Sequence, residues 1–202
     1  SGYYTKFMDQ SKVLSYYDDV EATFSNFAMS GINKRHFGLE AAASVPIYAG
    51  LSLNAAISWG QFTYDNNPDY VQIQDNSGEI KNQGKVYWKN FRVESTPQTA
   101  LNVGLSYRGP KNIFASLDMN YYDNMYLSMS PLYRTDAVLT PGMTTEDIAT
   151  LRNQEKFNSA CVFNASVGKN WYINRAYTLG FSLEVKNLLN NQNIKTGGYE
   201  PV

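Results

Sequence analysis

The chain has 202 residues, of which 14% are aromatic (16 of them Tyr), 21 are Asn and only 17% are charged, with a net charge of −1. That balance offers no electrostatic footprint for nucleic acid, and a single Cys excludes both a disulfide scaffold and a multi-cysteine zinc site. No run of 18 or more apolar residues provides a transmembrane helix, and the opening Ser1-Gly2-Tyr3-Tyr4-Thr5 has neither the basic nor the apolar region of a signal peptide.

Two-residue alternation dominates the chain and predicts seven strand-like segments. The first, about Gly2 to Val13, is the least regular. The second sets Phe37, Leu39, Ala41, Ala43 and Val45 against His36, Gly38, Glu40, Ala42 and Ser44. In the third, Leu51–Trp59, the odd positions are apolar and the even ones Ser, Asn or Ala. The fourth and fifth, Leu101–Tyr107 and Ile113–Tyr122, place Asn102, Asp118 and Asn120 on the polar side. The sixth and seventh run from Cys161 to Gly168 and from Leu179 to Lys186, with Asn164, Glu184 and Lys186 on that same side. Successive side chains of a strand point to opposite faces, so each segment has one apolar and one polar face.

The connections alternate in length. Short turns are predicted at Pro46–Gly50, Arg108–Asn112 and Lys169–Ala176, and long links at Tyr64–Val86, Met125–Asn158 and from Asn187 onward. A transmembrane β-barrel has this asymmetry, with short periplasmic turns and long extracellular loops. Tyr48, Tyr107, Trp171, Tyr172 and Tyr177 beside the short turns, and Trp59, Phe62, Tyr64, Tyr121, Tyr122 and Tyr126 at the opposite ends, suit two interfacial girdles. Within the second long link, Thr144-Thr145-Glu146-Asp147 is expected to start a capped helix ending near Gln154. The fold class expected is therefore all-β, an antiparallel transmembrane β-barrel segment of about seven strands.

Little in the sequence points to catalysis. His36 is the lone His and is expected to pack at the lumen or rim, while Cys161 sits on the apolar face with no base beside it. Asp18, Asp19, Glu21, Asp65, Asp69 and Asp75 lack a calcium-loop spacing and read as a solvated rim. Asn164-Ala165-Ser166 falls mid-strand and is discounted as a glycosylation site. No catalytic residue, metal site or cofactor is expected, and the chain is read as not an enzyme. The lumen-facing polar set is Asn54, Asn102, Asp118, Asn120, Glu184 and Lys186. Ligand contact is expected from the loop residues Tyr70, Tyr87, Trp88, Tyr126 and Tyr133, aromatic platforms that suit sugars or planar nutrients.

Three stretches carry a family resemblance. Asn120-Tyr121-Tyr122-Asp123-Asn124-Met125-Tyr126, followed by Pro131-Leu132-Tyr133-Arg134-Thr135, looks like a late strand and loop of TonB-dependent outer-membrane receptors. Glu184-Val185-Lys186-Asn187-Leu188-Leu189-Asn190 is similar to the Val-x-Asn-Leu-x-Asn stretch of that family's penultimate strand, and Gly31 to Glu40 resembles one of its strand entries. The resemblance implies a 22-stranded barrel closed by a plug, energised through the TonB complex, located in the cell outer membrane, and in one branch partnered by a surface lipoprotein. This sequence shows no plug, no TonB-contacting box and no final strand with a terminal aromatic. Residues 1–202 are thus expected to form the C-terminal part of such a barrel, meeting outer-membrane lipid, a plug domain and the remaining strands, and importing a glycan, metal chelate, vitamin or peptide. The alternative is a small self-contained β-barrel or β-sandwich serving as a surface binding or adhesion module.

Overall fold

The computed structural model describes residues 1–19, 22–138, 142–174 and 176–193; Glu21 and the tail from Gly197 to Val202 lie outside the described residues. Nine antiparallel strands form one sheet: β1 (Gly2–Asp18), β2 (Thr23–Tyr48), β3 (Leu51–Tyr64), β4 (Asp69–Gln74), β5 (Ile80–Lys85), β6 (Thr99–Arg108), β7 (Ile113–Asp123), β8 (Ala160–Ile173) and β9 (Tyr177–Val185). The order β1-β2-β3-β6-β7-β8-β9 reproduces the seven alternating segments, and β4 and β5 continue the sheet beside the outer half of β2. The class is all-β, and the described sheet is open: β1 pairs only with β2, and β9 only with β8.

Register keeps the two faces separate across the inner part of the sheet. Directly opposed residues share a face, and the rows Val45–Leu53–Leu105–Leu117–Ala165–Val185 and Leu51–Tyr107–Ala115–Val167–Leu183 are apolar from edge to edge. Among the described residues nothing covers that face. Ile57 (48%), Leu117 (45%) and Val167 (47%) lie on interior strands, where a second layer would bury them, yet they remain about half exposed. The short turns also descend across the sheet. The β2–β3 turn follows the Tyr48–Leu51 pair, whose row reaches β9 at Leu183, whereas the β8–β9 turn follows Ile173–Tyr177, six residues lower. Six residues at ~3.3 Å each, over four strand spacings of ~4.8 Å, slant the strands about 45° to the line of turns.

Above the apolar zone the alternation changes phase. Gly31 (φ +69°) is the extra residue in β2, and the β1 register shifts across the same stretch, where Asp9 has φ +55°. Before the bulge the odd residues Phe27 and Met29 are buried, and after it the even residue Ile32 takes over. The paired irregularity hides the outer halves of β1 and β2 from a period-two reading, so the first segment extends five residues past Val13 and β2 begins at Thr23 rather than near His36. The Tyr64–Val86 link, expected as a loop, contains the β4–β5 hairpin, whose turn is built on Asp75-Asn76-Ser77-Gly78 with Gly78 at φ +67°. The expected helix forms as α1 (Thr145–Arg152), closed by a reciprocal capping box between Thr144 and Asp147.

The girdle assignments need correction. Phe62, Tyr64, Tyr122 and Tyr172 fall in the even phase, on the polar face. Phe62 stacks on His36 at 4.4 Å, and Tyr64 is buried in the outer core. The apolar face retains Trp59, which meets Phe37 edge-on at 6.0 Å, with Tyr121 at the outer end and Tyr107, Trp171 and Tyr177 at the inner end.

Gly50 closes the β2–β3 turn at φ +86°, where an added Cβ would stand 2.1 Å from the Arg108 carbonyl oxygen. Gly50→Ala is expected to lower the urea midpoint of the refolded protein far more than Gly78→Ala, whose open surroundings leave only about 1–2 kcal/mol of backbone strain. Equal midpoints would contradict this packing of the turn against β6.

Candidate functional site

Two surfaces concentrate polar and aromatic chemistry: the polar face of the sheet and a pocket at its outer end. On the polar face the register aligns Ser44, Asn54, Gly104, Asp118 and Asn164 in one row. Ser44 Oγ donates to Asn54 Oδ1 (2.7 Å), whose Nδ2 donates to Ser106 Oγ (3.3 Å); Asn102 Nδ2 donates to Asn120 Oδ1 (2.9 Å). Ser116 and Ser166 share a hydrogen bond at 2.9 Å. Asp118 leans over Gly104, where a Cβ would lie 2.3 Å from Oδ1, and Glu184 meets Lys186 at 3.6 Å. The strand positions of the expected lumen set, Asn54, Asn102, Asp118, Asn120 and Glu184, therefore share one face, and Lys186, just past β9, pairs with Glu184. Small side chains (Ala42, Ala56, Ala100) leave a hollow of about 750 Å³ there, edged by Glu40, Ser58 and Tyr122.

The outer pocket rests on a hydrophobic cluster inside the ribbon formed by β1 and β2. Phe27, Met29, Ile32, Tyr64, Tyr70, Val86 and Trp88 pack together, with Phe27 stacked on Tyr70 at 4.5 Å and Tyr64 against Trp88 at 4.6 Å. Lys12 and Lys34 lie over the Trp88 and Tyr64 rings, at 5.8 and 5.4 Å. Tyr64 Oη donates to Glu94 at 3.0 Å, and burial together with that carboxylate pushes its phenol well up, so it remains a donor. Above the cluster Tyr16, Tyr17, Asp18, Asp19, Gln72 and Tyr133 line a cavity of about 420 Å³, with Phe27 and Tyr70 also in its wall. Gln72 Nε2 donates to Tyr16 Oη at 2.7 Å, and burial, then the Asp18 charge, raises the Tyr16 phenol.

The five loop candidates separate in the structure. Tyr70 and Trp88 are each only 3% exposed, so they serve chiefly as core packing rather than as open ligand platforms. Tyr87 donates its hydroxyl to Asp136 and its N–H to the Arg134 carbonyl, which ties the end of β5 to the loop after β7. Tyr126 is half-buried and bridges to Lys156. Tyr133, 46% exposed, stands on the pocket and shares it with Tyr70. Sequence reasoning missed Tyr16, Tyr17 and Gln72. The available signal was Tyr16-Tyr17-Asp18-Asp19 at the tip of a hairpin, visible only once the bulged β1–β2 pairing is recognised. The pocket combines ring faces with hydroxyl, amide and carboxylate groups, an arrangement suited to binding. Among the described residues no group of three His, Cys, Asp or Glu is placed to hold a metal ion.

Truncating Trp88 to Ala removes a buried ring and is expected to destabilise the outer core by about 3–5 kcal/mol, read as faster amide exchange at Tyr64 and Val86, whereas Tyr133→Ala should leave that exchange unchanged. Equal effects would show that the pocket and the core are not separate layers.

No protein-family model, no curated protein and no solved structure matches this chain.

Proposed function

We propose that this chain forms wall and outer loops of a transmembrane β-barrel in the cell outer membrane, as the barrel portion of a TonB-dependent receptor that binds and imports a nutrient. The observation that carries this reading is the apolar face, continuous in register from β2 to β9 and uncovered on interior strands. Water is a poor solvent for such a face, and a bilayer is a good one. The slant of about 45° matches the tilt of strands in membrane barrels. From Phe37 to Tyr48, β2 covers twelve residues, and the eleven rises between them, at ~3.3 Å each and that slant, give a belt about 25 Å tall, the height of a barrel's lipid-facing band.

In this reading the open edges of β1 and β9 pair with further strands, because an unpaired backbone group in lipid costs several kcal/mol. The polar face then lines the lumen and meets a plug, which works with the TonB complex. Its hydrogen-bonded Ser and Asn rows make a smooth wetted wall, and the hollow over Ala42, Ala56 and Ala100 leaves room beside it. The outer pocket lies at the end opposite the short turns, where a nutrient arrives.

An arginine scan tests the proposal. Leu105→Arg, at mid-belt, is expected to destabilise the protein in phosphatidylcholine vesicles by about 2–4 kcal/mol, and Tyr107→Arg, at the inner girdle, by about 0–1 kcal/mol. Equal costs at both depths, or a folded monomer that stays soluble without vesicles or detergent, would favour a self-contained binding module instead.

A further inference from the structure

Immediately outside the apolar belt, the lipid-facing phase of the sheet carries a row of cations. Register places Lys6 opposite Arg35, Arg35 opposite Thr63, and Thr63 opposite Arg92, so all four share one row and one face. The row below it is Tyr4–Phe37–Gln61 and the next contains Leu39 and Trp59, so the cations stand just beyond the outer aromatic collar. Phe91 and Val93 pack against the outer core, and Arg92 between them is half-buried, its Nη1 donating to Gln98 Oε1 at 3.4 Å. Lys6 is exposed, and the Arg35 side chain is 39% exposed. The carboxylate found at the row is Asp65, 3.8 Å from Arg35, so three cations meet one anion. Arg35 Nε is buried with no hydrogen-bond partner, a donor still lacking its acceptor. Farther along the same face Lys156 is held by Asp123 at 2.9 Å, so the uncompensated charge stays at β1, β2 and the Arg92 segment bridged to β3.

We propose that this row binds the phosphate of a phosphorylated glycolipid in the outer leaflet, with the acyl chains lying on the apolar face below. The inference rests on the membrane reading above, which puts the long-loop end outside. It follows from three features that coincide at this row. Guanidinium groups present planar forks that match phosphate oxygens. Neighbouring strands are ~4.8 Å apart, so Lys6 and Arg35 can share one phosphate while Arg92, two spacings from Arg35, reaches an adjacent one. The row is also continuous with the surface that would hold the chains, so one molecule satisfies both the charge and the apolar area.

The test uses the full chain refolded in detergent, incubated with bisphosphorylated lipid A and examined by native mass spectrometry. The protein is expected to retain this lipid at least tenfold better than K6Q/R35Q/R92Q and tenfold better than it retains lipid A stripped of its phosphates. The surface change Lys6→Gln alone, which touches no packing, should weaken retention several-fold and covers the case in which the triple variant misfolds. Equal retention by wild type and Lys6→Gln, equal retention of the dephosphorylated lipid, or equal retention of phosphatidylglycerol would overturn the proposal while leaving the membrane reading intact. A folded wild-type monomer that stays soluble without vesicles or detergent would overturn both.

Discussion

The antiparallel ladder leaves each side chain of this protein two directions in which to point, and every other feature depends on how that choice is made. From Val45 across to Val185 the pairing is in register, so one odd-numbered set lies on one surface and one even-numbered set on the other. A slip of one residue would exchange the two surfaces completely. Such a slip shapes the outer end: the Gly31 bulge in β2, with its counterpart in β1, brings Phe27 and Met29 onto the side that Ile32 occupies. Below the bulge the sheet stands as a single layer with an apolar outer surface. Above it the same strands wrap a small hydrophobic core that supports the outer pocket.

Amide side chains complete the ladder where the strands stop. Asn66 accepts from the Asn33 N–H and donates to the Gly31 carbonyl, so it supplies the two bonds that the bulge removes. Gln98 treats Phe62 in the same way, and Gln154 treats Arg92 so, each through one bond given and one received. Asn187, left-handed at φ +53°, takes its own N–H to Asn164 Oδ1 and closes a turn with both backbone groups of Asn191. A buried backbone group without a partner costs about 1–3 kcal/mol, and a carboxylate or ammonium cannot both give and receive. Asn66 and Asn187, two of the 21 Asn, and Gln98 and Gln154 do so because an amide has both a donor and an acceptor.

The parts legible in the sequence were those governed by uninterrupted alternation. The inner strands, their two faces, the placement of Asn54, Asn102, Asp118, Asn120 and Glu184 together, and the capping box at Thr144 all follow from local pattern. The outer region was not legible for a physical reason. One inserted residue breaks the period in two adjacent strands, and β4 (Asp-Tyr-Val-Gln-Ile-Gln) is polar enough between turn residues to read as loop. Tyr70 and Trp88 look in the sequence like any exposed loop aromatics; only the long-range pairing of β4 with β2 puts Tyr70 onto Phe27. The aromatic collars do not hold at Phe62, Tyr64, Tyr122 and Tyr172 because residue parity, not nearness to a strand end, decides which face a side chain takes.

The most direct test of the account is the solvent seen by consecutive positions on one interior strand. With Cys161 replaced by Ser, single spin labels at residues 101–107 of β6, reconstituted in phosphatidylcholine bilayers, report access to oxygen and to a water-soluble nickel complex. The account predicts a period of two, with oxygen favoured at 101, 103, 105 and 107 and the nickel complex at 102, 104 and 106, and with the oxygen preference greatest near 103 and 105. Nickel access at both parities, or no alternation, would contradict a sheet that faces lipid on one side and water on the other.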